Sequence, residues 1–190
     1  SYCFNISKYM KFPELTSNSI KDKKAVQVFI DYWASHYSYK LESVYTENIG
    51  KKLTSERLLC LFEWKNGGKI SNHKLASIQD NYIGNRKTEL EELKNRYLNE
   101  NNPGGPIWNI FYLHCLEPNL FPIFDQHTYR SMYFIKELKI KEIPNTKKEI
   151  YKLYSNEYIP FYDMFEFEKR KIDKALFTFG QYLKAVKKFV

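Results

Sequence analysis

Asn101-Asn102-Pro103-Gly104-Gly105-Pro106 and, downstream of it, Ile123-Phe124-Asp125-Gln126-His127-Thr128-Tyr129-Arg130 form the stretch on which the reading of this 190-residue chain turns. The first segment is the strongest punctuation in the chain, because prolines and paired glycines stop one helix and allow another to begin. Ile107 to Leu116 follows as a strongly apolar helix. Glu117-Pro118-Asn119-Leu120-Phe121-Pro122 is a loop whose two prolines forbid continuation. Asp125 then opens a helix that reaches about Leu138.

Outward from this centre the pattern stays helical. Lys21 to Tyr37 places Ala25, Val26, Phe29, Ile30 and Trp33 on one helical face. Ser55 to Trp64 carries Leu58, Leu59, Leu61 and Phe62, with Thr54 or Ser55 as N-cap and Lys65-Asn66-Gly67-Gly68 as stop. His73 to Tyr82 and Thr88 to Asn99 are shorter helices, the latter with an apolar stripe of Leu90, Leu93, Tyr97 and Leu98. Pro144-Asn145-Thr146 caps another helix, and Phe165 to Phe189 keeps Ile172, Leu176, Phe179 and Leu183 in register. Lys139-Ile140-Lys141 is a candidate extended piece, but no alternating run indicates a sheet. The expected fold class is all-α.

Hydrophobic residues make up 43% of the chain, enough for a real core and against a disordered tail. No apolar run approaches the roughly eighteen residues of a bilayer span, so no membrane partner is expected. Ser1-Tyr2-Cys3-Phe4-Asn5 lacks the basic-then-apolar order of a secretory signal. Cys3, Cys60 and Cys115 are an odd, widely spaced set. They fit a reducing, cytoplasmic setting and cannot by themselves hold a four-cysteine iron–sulfur cluster. His36, His73, His114 and His127 do not pair with cysteine at zinc-ligand spacing, so neither metal nor cofactor is expected. The 30 Lys and Arg against 22 Asp and Glu give a net charge of +8, which suits a polyanionic partner, although many basic proteins bind none.

A Gly104-Gly105 turn joining two helices, with Asp125 after the second, resembles the helix-hairpin-helix DNA glycosylases. Their hairpin reads L-P-G-V-G-x-K, and a helix later comes V-D-T-H-V-x-R. Here Asn102-Pro103-Gly104-Gly105-Pro106-Ile107 stands for the first, and Asp125, His127 and Arg130 complete D-x-H-x-x-R. Gly105 and Asp125 are 20 residues apart, as in that family. Leu58 to Ser77 also resembles its helical segment ahead of the hairpin. The hairpin departs in being Gly-Gly rather than Gly-x-Gly. The lysine that bifunctional members carry two residues after the last glycine is Ile107 here.

The resemblance implies a single two-lobed domain over residues 1–190. About 51–130 would form the hairpin lobe, and about 1–50 with 131–190 the second helical lobe. It implies a monomer that acts on double-stranded DNA in base excision: it flips a base from the duplex, hydrolyses its N-glycosidic bond and leaves an abasic site. Without the lysine no imine forms and the strand is not cut. The base is expected to be an oxidised or alkylated purine, or a hypermodified phage cytosine, because some relatives serve in phage defence rather than DNA repair. The alternative is a catalytically inactive helix-hairpin-helix DNA-binding module, and a third reading is a helical interaction protein unrelated to DNA.

Each residue carries its role beside a plainer one. Pro103, Gly104 and Gly105 would bring backbone N–H groups to a phosphate, or else form an ordinary tight connection. Asp125 would stabilise the oxocarbenium-like sugar and orient water, or only cap the helix that follows. His127 braces the loop or hairpin, while Arg130 contacts phosphate or pairs with an acid. Trp64, Lys65 and Asn66 stand where the family places a wedge or orphan-base contact, and Trp108 and Tyr112 near the pocket mouth. The two tryptophans are equally well read as core. Lys184, Lys187 and Lys188 form a basic helix end, read as a solvated face.

Overall fold

The computed structural model describes residues 12–84 and 89–187, so the expectations that fall on Cys3, Thr88, Lys188 and Phe189 lie outside the described residues. All regular structure among the described residues is helical. The chain is all-α.

The helices begin and end where local chemistry dictates. Asp22 accepts from the Lys24 and Ala25 N–H groups and starts α1 (Lys23–Ser35). After α2 (Glu42–Asn48), Thr54 caps α3 (Ser55–Asn66), its hydroxyl accepting from Arg57 N–H at 3.2 Å. The left-handed stop of α3 is Gly67, at φ 79°, so Lys65 and Asn66 are helical rather than part of the turn. Ser71 caps α4 (Asn72–Asn81), and α5 (Leu90–Tyr97) leads to the Pro-Gly-Gly-Pro turn. Pro106 is the first residue of α6 (Pro106–Leu116), where a missing N–H breaks no bond. Next come α7 (Gln126–Glu137), capped by Asp125, and α8 (Lys147–Leu153), capped by Thr146. One π-helical turn (Tyr154–Tyr158) joins α8 to α9 (Ile159–Asp163), which holds Pro160 in its first turn. The long α10 (Lys169–Val186) closes the fold.

Packing centres on α10, which lies against both α7 and α1. Phe179 makes this junction: its ring is 5.1 Å from those of Phe29 and Trp33 on α1 and 5.6 Å from Phe134 on α7. The crossing of α7 and α10 is close because Gly180 has no side chain; a Cβ there would lie 2.0 Å from the His127 carbonyl oxygen. Helix α6 is buried from Asn109 to Cys115, as an all-round apolar helix must be.

The Pro103-Gly104-Gly105 turn is pinned from within. Gly104 has φ 87°, and a Cβ on it would come within 2.8 Å of Asn109 Oδ1 and 2.7 Å of the Tyr82 hydroxyl. Buried Asn109 accepts from Tyr82 at 2.6 Å and donates to Pro103 O at 3.2 Å and the Tyr151 hydroxyl at 2.8 Å. Lys147 holds the Asn102 carbonyl at 2.8 Å. Pro103 and Gly105 remain exposed at the surface. No helix among the described residues is long and apolar enough to cross a membrane.

Gly180→Ala tests the helix crossing. Forcing a methyl against the His127 carbonyl is expected to lower stability by about 1–3 kcal/mol, as overpacking does, read as a drop in urea midpoint. An unchanged midpoint would contradict so close an approach of α7 to α10.

Candidate active site

Between α6 and α7 the chain runs through four consecutive carbonyls, each of which accepts from a side chain of another element. His114 Nδ1 meets Phe121 O at 2.7 Å, the Tyr154 and Tyr158 hydroxyls meet Pro122 O and Ile123 O at 3.0 Å each, and Lys65 Nζ reaches Phe124 O at 3.5 Å. The donors come from α6, the π-helical turn and α3. Phe121 O can only accept, so the His114 hydrogen sits on Nδ1 and Nε2 accepts from the Tyr45 hydroxyl at 2.8 Å. Burial pushes the His114 pKa down to about 3, so this buried brace is neutral at ordinary pH.

Asp125 is the residue this loop delivers. Its Oδ1 accepts from His127 N–H at 2.8 Å and Thr128 N–H at 3.1 Å, while Thr128 Oγ1 accepts from Asp125 N–H at 3.0 Å, a reciprocal capping box. Its Oδ2 pairs with Lys65 Nζ at 3.2 Å, and the Lys65 side chain is only 9% exposed. Burial alone would raise the Asp125 pKa. The Lys65 charge, the Thr128 N–H and the nearby His127 overcome it, and the carboxyl is held below its usual range.

Asp125 lines a pocket of about 360 Å³. Tyr37, Tyr39, Trp64, Trp108 and Phe177 give it aromatic walls. Asp173 also lines it and is 4% exposed. The Tyr162 hydroxyl is 3.0 Å from Asp173 Oδ1, and Arg170 is 3.9 Å from Oδ2. Burial, only partly offset by Arg170, pushes the Asp173 pKa up to about 7. Arg170 in turn is paired with Glu42 and lies 4.2 Å over the Tyr45 ring, tying α10 to α2.

Six of the sequence-predicted residues converge on this pocket: Asp125, His127, Trp64, Lys65, Asn66 and Trp108, with Ile107 beside them. Trp64 is nonetheless 6% exposed, packed on Tyr45 and Phe111, and Lys65 turns inward to Asp125. Asn66 accepts from Lys74 and donates to the Gly68 and Lys69 carbonyls, fixing the turn after α3. Trp108 also walls a second groove, of about 410 Å³, with Ser71, His73, Lys74 and Gly105. Tyr112 does not reach the pocket; it is buried between the rings of Tyr82 and Tyr97. Arg130 is 1% exposed, pairs with Glu142 at 3.0 Å and donates to Gly180 O, so of its two roles the structure places it with an acid. Its guanidinium can only donate, so His127 Nδ1, 3.2 Å away, accepts. Burial lowers the His127 pKa in agreement.

Asp173 and Arg170 escaped the sequence reading. The signal was an acid on the apolar stripe of an amphipathic helix, beside Ile172, Leu176 and Leu183, where an unpaired carboxylate is costly. Among the described residues no group of three or more His, Cys, Asp or Glu side chains gathers as a metal site. Comparison with protein-family models, curated proteins and solved structures found no match to this chain.

The two carboxyls act oppositely on stability. The lowered folded-state pKa of Asp125 contributes stability at neutral pH that is lost as pH falls through that value. The raised value of Asp173 contributes stability that is full below about 4 and lost as pH rises through about 7. The unfolding free energy of the wild type minus that of Asp173→Asn is therefore expected to fall by roughly 2–3 kcal/mol between pH 5 and 7.5, at about 1.4 kcal/mol per unit. Urea unfolding at the two pH values measures it. A constant difference would mean that Asp173 is charged throughout.

Proposed function

We propose that this protein binds duplex DNA and hydrolyses the N-glycosidic bond of a modified base flipped into the aromatic pocket, with Asp125 as the catalytic carboxylate. The observation that carries this reading is a carboxylate held ionised in the wall of a base-sized pocket, one helix after a glycine turn. Ile107 and Trp108, which follow that turn directly, line the same pocket. A volume of about 360 Å³ falls among small-molecule sites, which span about 300–1,000 Å³.

The fold reading that goes with it is the two-lobed helix-hairpin-helix glycosylase arrangement, with α5 and α6 as the hairpin pair. Exposed Pro103 and Gly105 would meet a phosphate, and the adjoining groove with Lys74, His73 and Ser71 gives the strand a basic, hydroxyl-bearing path. In the transition state the positive charge at C1′ would be stabilised by Asp125, which also takes the proton of the attacking water. Lys65 presents an amine in the pocket, but its hydrogens point at Asp125 and the Phe124 carbonyl, and its ammonium lies 5.6 Å over the Phe111 ring. Its role in this reading is to keep Asp125 charged, so the enzyme remains monofunctional. The second reading, a binding module without chemistry, is favoured by the same cap and ion pair, which together give Asp125 a complete structural role.

The test is base release from duplexes carrying oxidised purines, alkylated purines or hypermodified cytosines, followed by mass spectrometry, beside fluorescence anisotropy across salt. Expected are a released base, an abasic strand left uncut, no borohydride-trapped adduct and affinity falling steeply with salt. Salt-dependent binding with no release from any duplex favours the binding module. Absence of binding at low salt overturns both readings, and a trapped adduct at Lys65 overturns the monofunctional assignment.

A further inference from the structure

The pocket holds a second carboxyl that the Asp125 chemistry does not use. Resting on the glycosylase reading above, we propose that Asp173 is the proton donor to the departing base, acting from the pocket wall as a neutral carboxylic acid while Asp125 acts as the anion.

The geometry supports a hydrogen on Asp173. The Tyr162 hydroxyl owns one hydrogen but has two acceptors in range, Lys169 O at 2.7 Å and Asp173 Oδ1 at 3.0 Å. The carbonyl is the nearer and can never donate. A carboxyl carrying its own hydrogen resolves the competition, because it can donate to the tyrosine oxygen. Both a structural cap and an ion pair explain Asp125, but Asp173 has no comparable cation: Arg170 stands 3.9 Å away and is already committed to Glu42 through two nitrogens.

The charged and titratable groups facing Asp173 come from every side of the pocket. Arg170 on α10 and Lys65 on α3 favour its anion, Asp125 at the start of α7 opposes it, and Tyr162 on α9 lies at its oxygen. Tyr45 on α2 and the Tyr154 and Tyr158 hydroxyls of the π-helical turn complete the surroundings. Burial outweighs the two cations and lifts the Asp173 pKa to about 7, while Asp125 stays low. Two carboxyls driven apart in one cavity are the pattern of an acid and a base with separate tasks.

The step balances with water alone. The C1′–N bond breaks with its electron pair moving to the base, and the Asp173 proton passes to a nitrogen or oxygen of that base, which leaves neutral. The water oxygen bonds C1′ and its proton passes to Asp125. Solvent then returns a proton to Asp173 and removes one from Asp125. Meanwhile Tyr162 can donate to the carboxylate left behind, with Arg170 beside it.

A structural role and a proton-donating role separate on the charge of the leaving base. A duplex carrying 8-oxoguanine must expel a neutral purine that needs a proton, whereas 7-methylguanine is already cationic and needs none. Single-turnover release by wild type and Asp173→Asn is the measurement, with binding and unfolding followed alongside. Expected is a loss of about 10²–10⁴-fold on 8-oxoguanine, the worth of general acid catalysis, and less than about threefold on 7-methylguanine. The wild-type rate on 8-oxoguanine should fall as pH rises through about 7, and that limb should vanish in the variant. Where 8-oxoguanine alone is released, its ratio decides; where 7-methylguanine alone is released, the enzyme works without a proton donor and the proposal falls. Equal rates for the two proteins on 8-oxoguanine, or equal losses on both substrates, overturn the proposal and leave the glycosylase reading standing. No release by wild type from either duplex, nor from the wider set of modified duplexes, overturns that reading and this inference with it. Should the variant fail to fold, the wild-type pH profiles decide: a fall on 8-oxoguanine with a flat 7-methylguanine profile supports the donor, and parallel profiles overturn it.

Discussion

Four carbonyls in a row, from Phe121 to Phe124, are held by side chains of three other elements, and the candidate site depends on that grip. The loop between α6 and α7 closes one turn on the Glu117 carbonyl, but with neither helix nor sheet of its own the carbonyls from Phe121 to Phe124 are met by side chains. His114, Tyr154, Tyr158 and Lys65 supply the missing donors, and each is itself buried or half-buried. The π-helical turn brings the Tyr154 and Tyr158 hydroxyls to adjacent carbonyls 3.0 Å away. Asp125 arrives at the end of this track with an extended backbone, which lets its carboxylate cap α7 with one oxygen and face Lys65 with the other.

From that fixed point the pocket's electrostatics follow. Asp125 has three partners that favour its anion, and Asp173, across the same cavity, has burial and the Asp125 charge against its own. The close crossing at Gly180 brings together α7, which Asp125 caps, and α10, which carries Asp173. Arg130 serves this crossing rather than a ligand, bonding the Gly180 carbonyl from α7 and the Glu142 carboxylate beyond it. The reach from the glycine turn to the pocket is equally short, since Gly105, Ile107 and Trp108 are consecutive with Pro106 and line adjoining cavities.

Much of the helical order was legible because it is written in local chemistry. Thr54, Asp125 and Thr146 cap helices, and the Gly67 and Pro-Gly-Gly-Pro breaks stand where the residues require. Helix α2 was not legible: seven residues with a single buried side chain, Tyr45, leave no periodic trace. Pro160 conceals a continuous helical run because its ring falls in a first turn. The lining of the candidate site was half legible. Asp125 announced itself by its cap and its distance from the glycines, but the Lys65 partner is 60 residues away and helical only because α3 runs on to Gly67. Asp173 drew no notice, as one acid among the lysines and arginine of α10. Tyr112 looked like a pocket aromatic yet packs beneath α4 and α5, since burial of an apolar helix leaves periodicity no face to mark.

The carboxylate of Asp125 bears the chemistry in this reading, and replacing it by an amide removes that charge while leaving the cap of α7 in place. Asparagine keeps an oxygen for the α7 cap, but it leaves the buried Lys65 ammonium without its counter-charge, at a cost of about 3–5 kcal/mol. It loses the charge that would face the sugar, worth about 10²–10³-fold or more in rate. Single-turnover base release by wild type and Asp125→Asn, with thermal unfolding and DNA anisotropy on the same samples, is the deciding measurement. Loss of release with fold and affinity retained is expected; if the unpaired Lys65 unfolds the amide variant, Asp125→Asn combined with Lys65→Met, which removes both charges of the pair, carries the test. Release at the wild-type rate from a folded variant would contradict the catalytic assignment and leave Asp125 a cap alone.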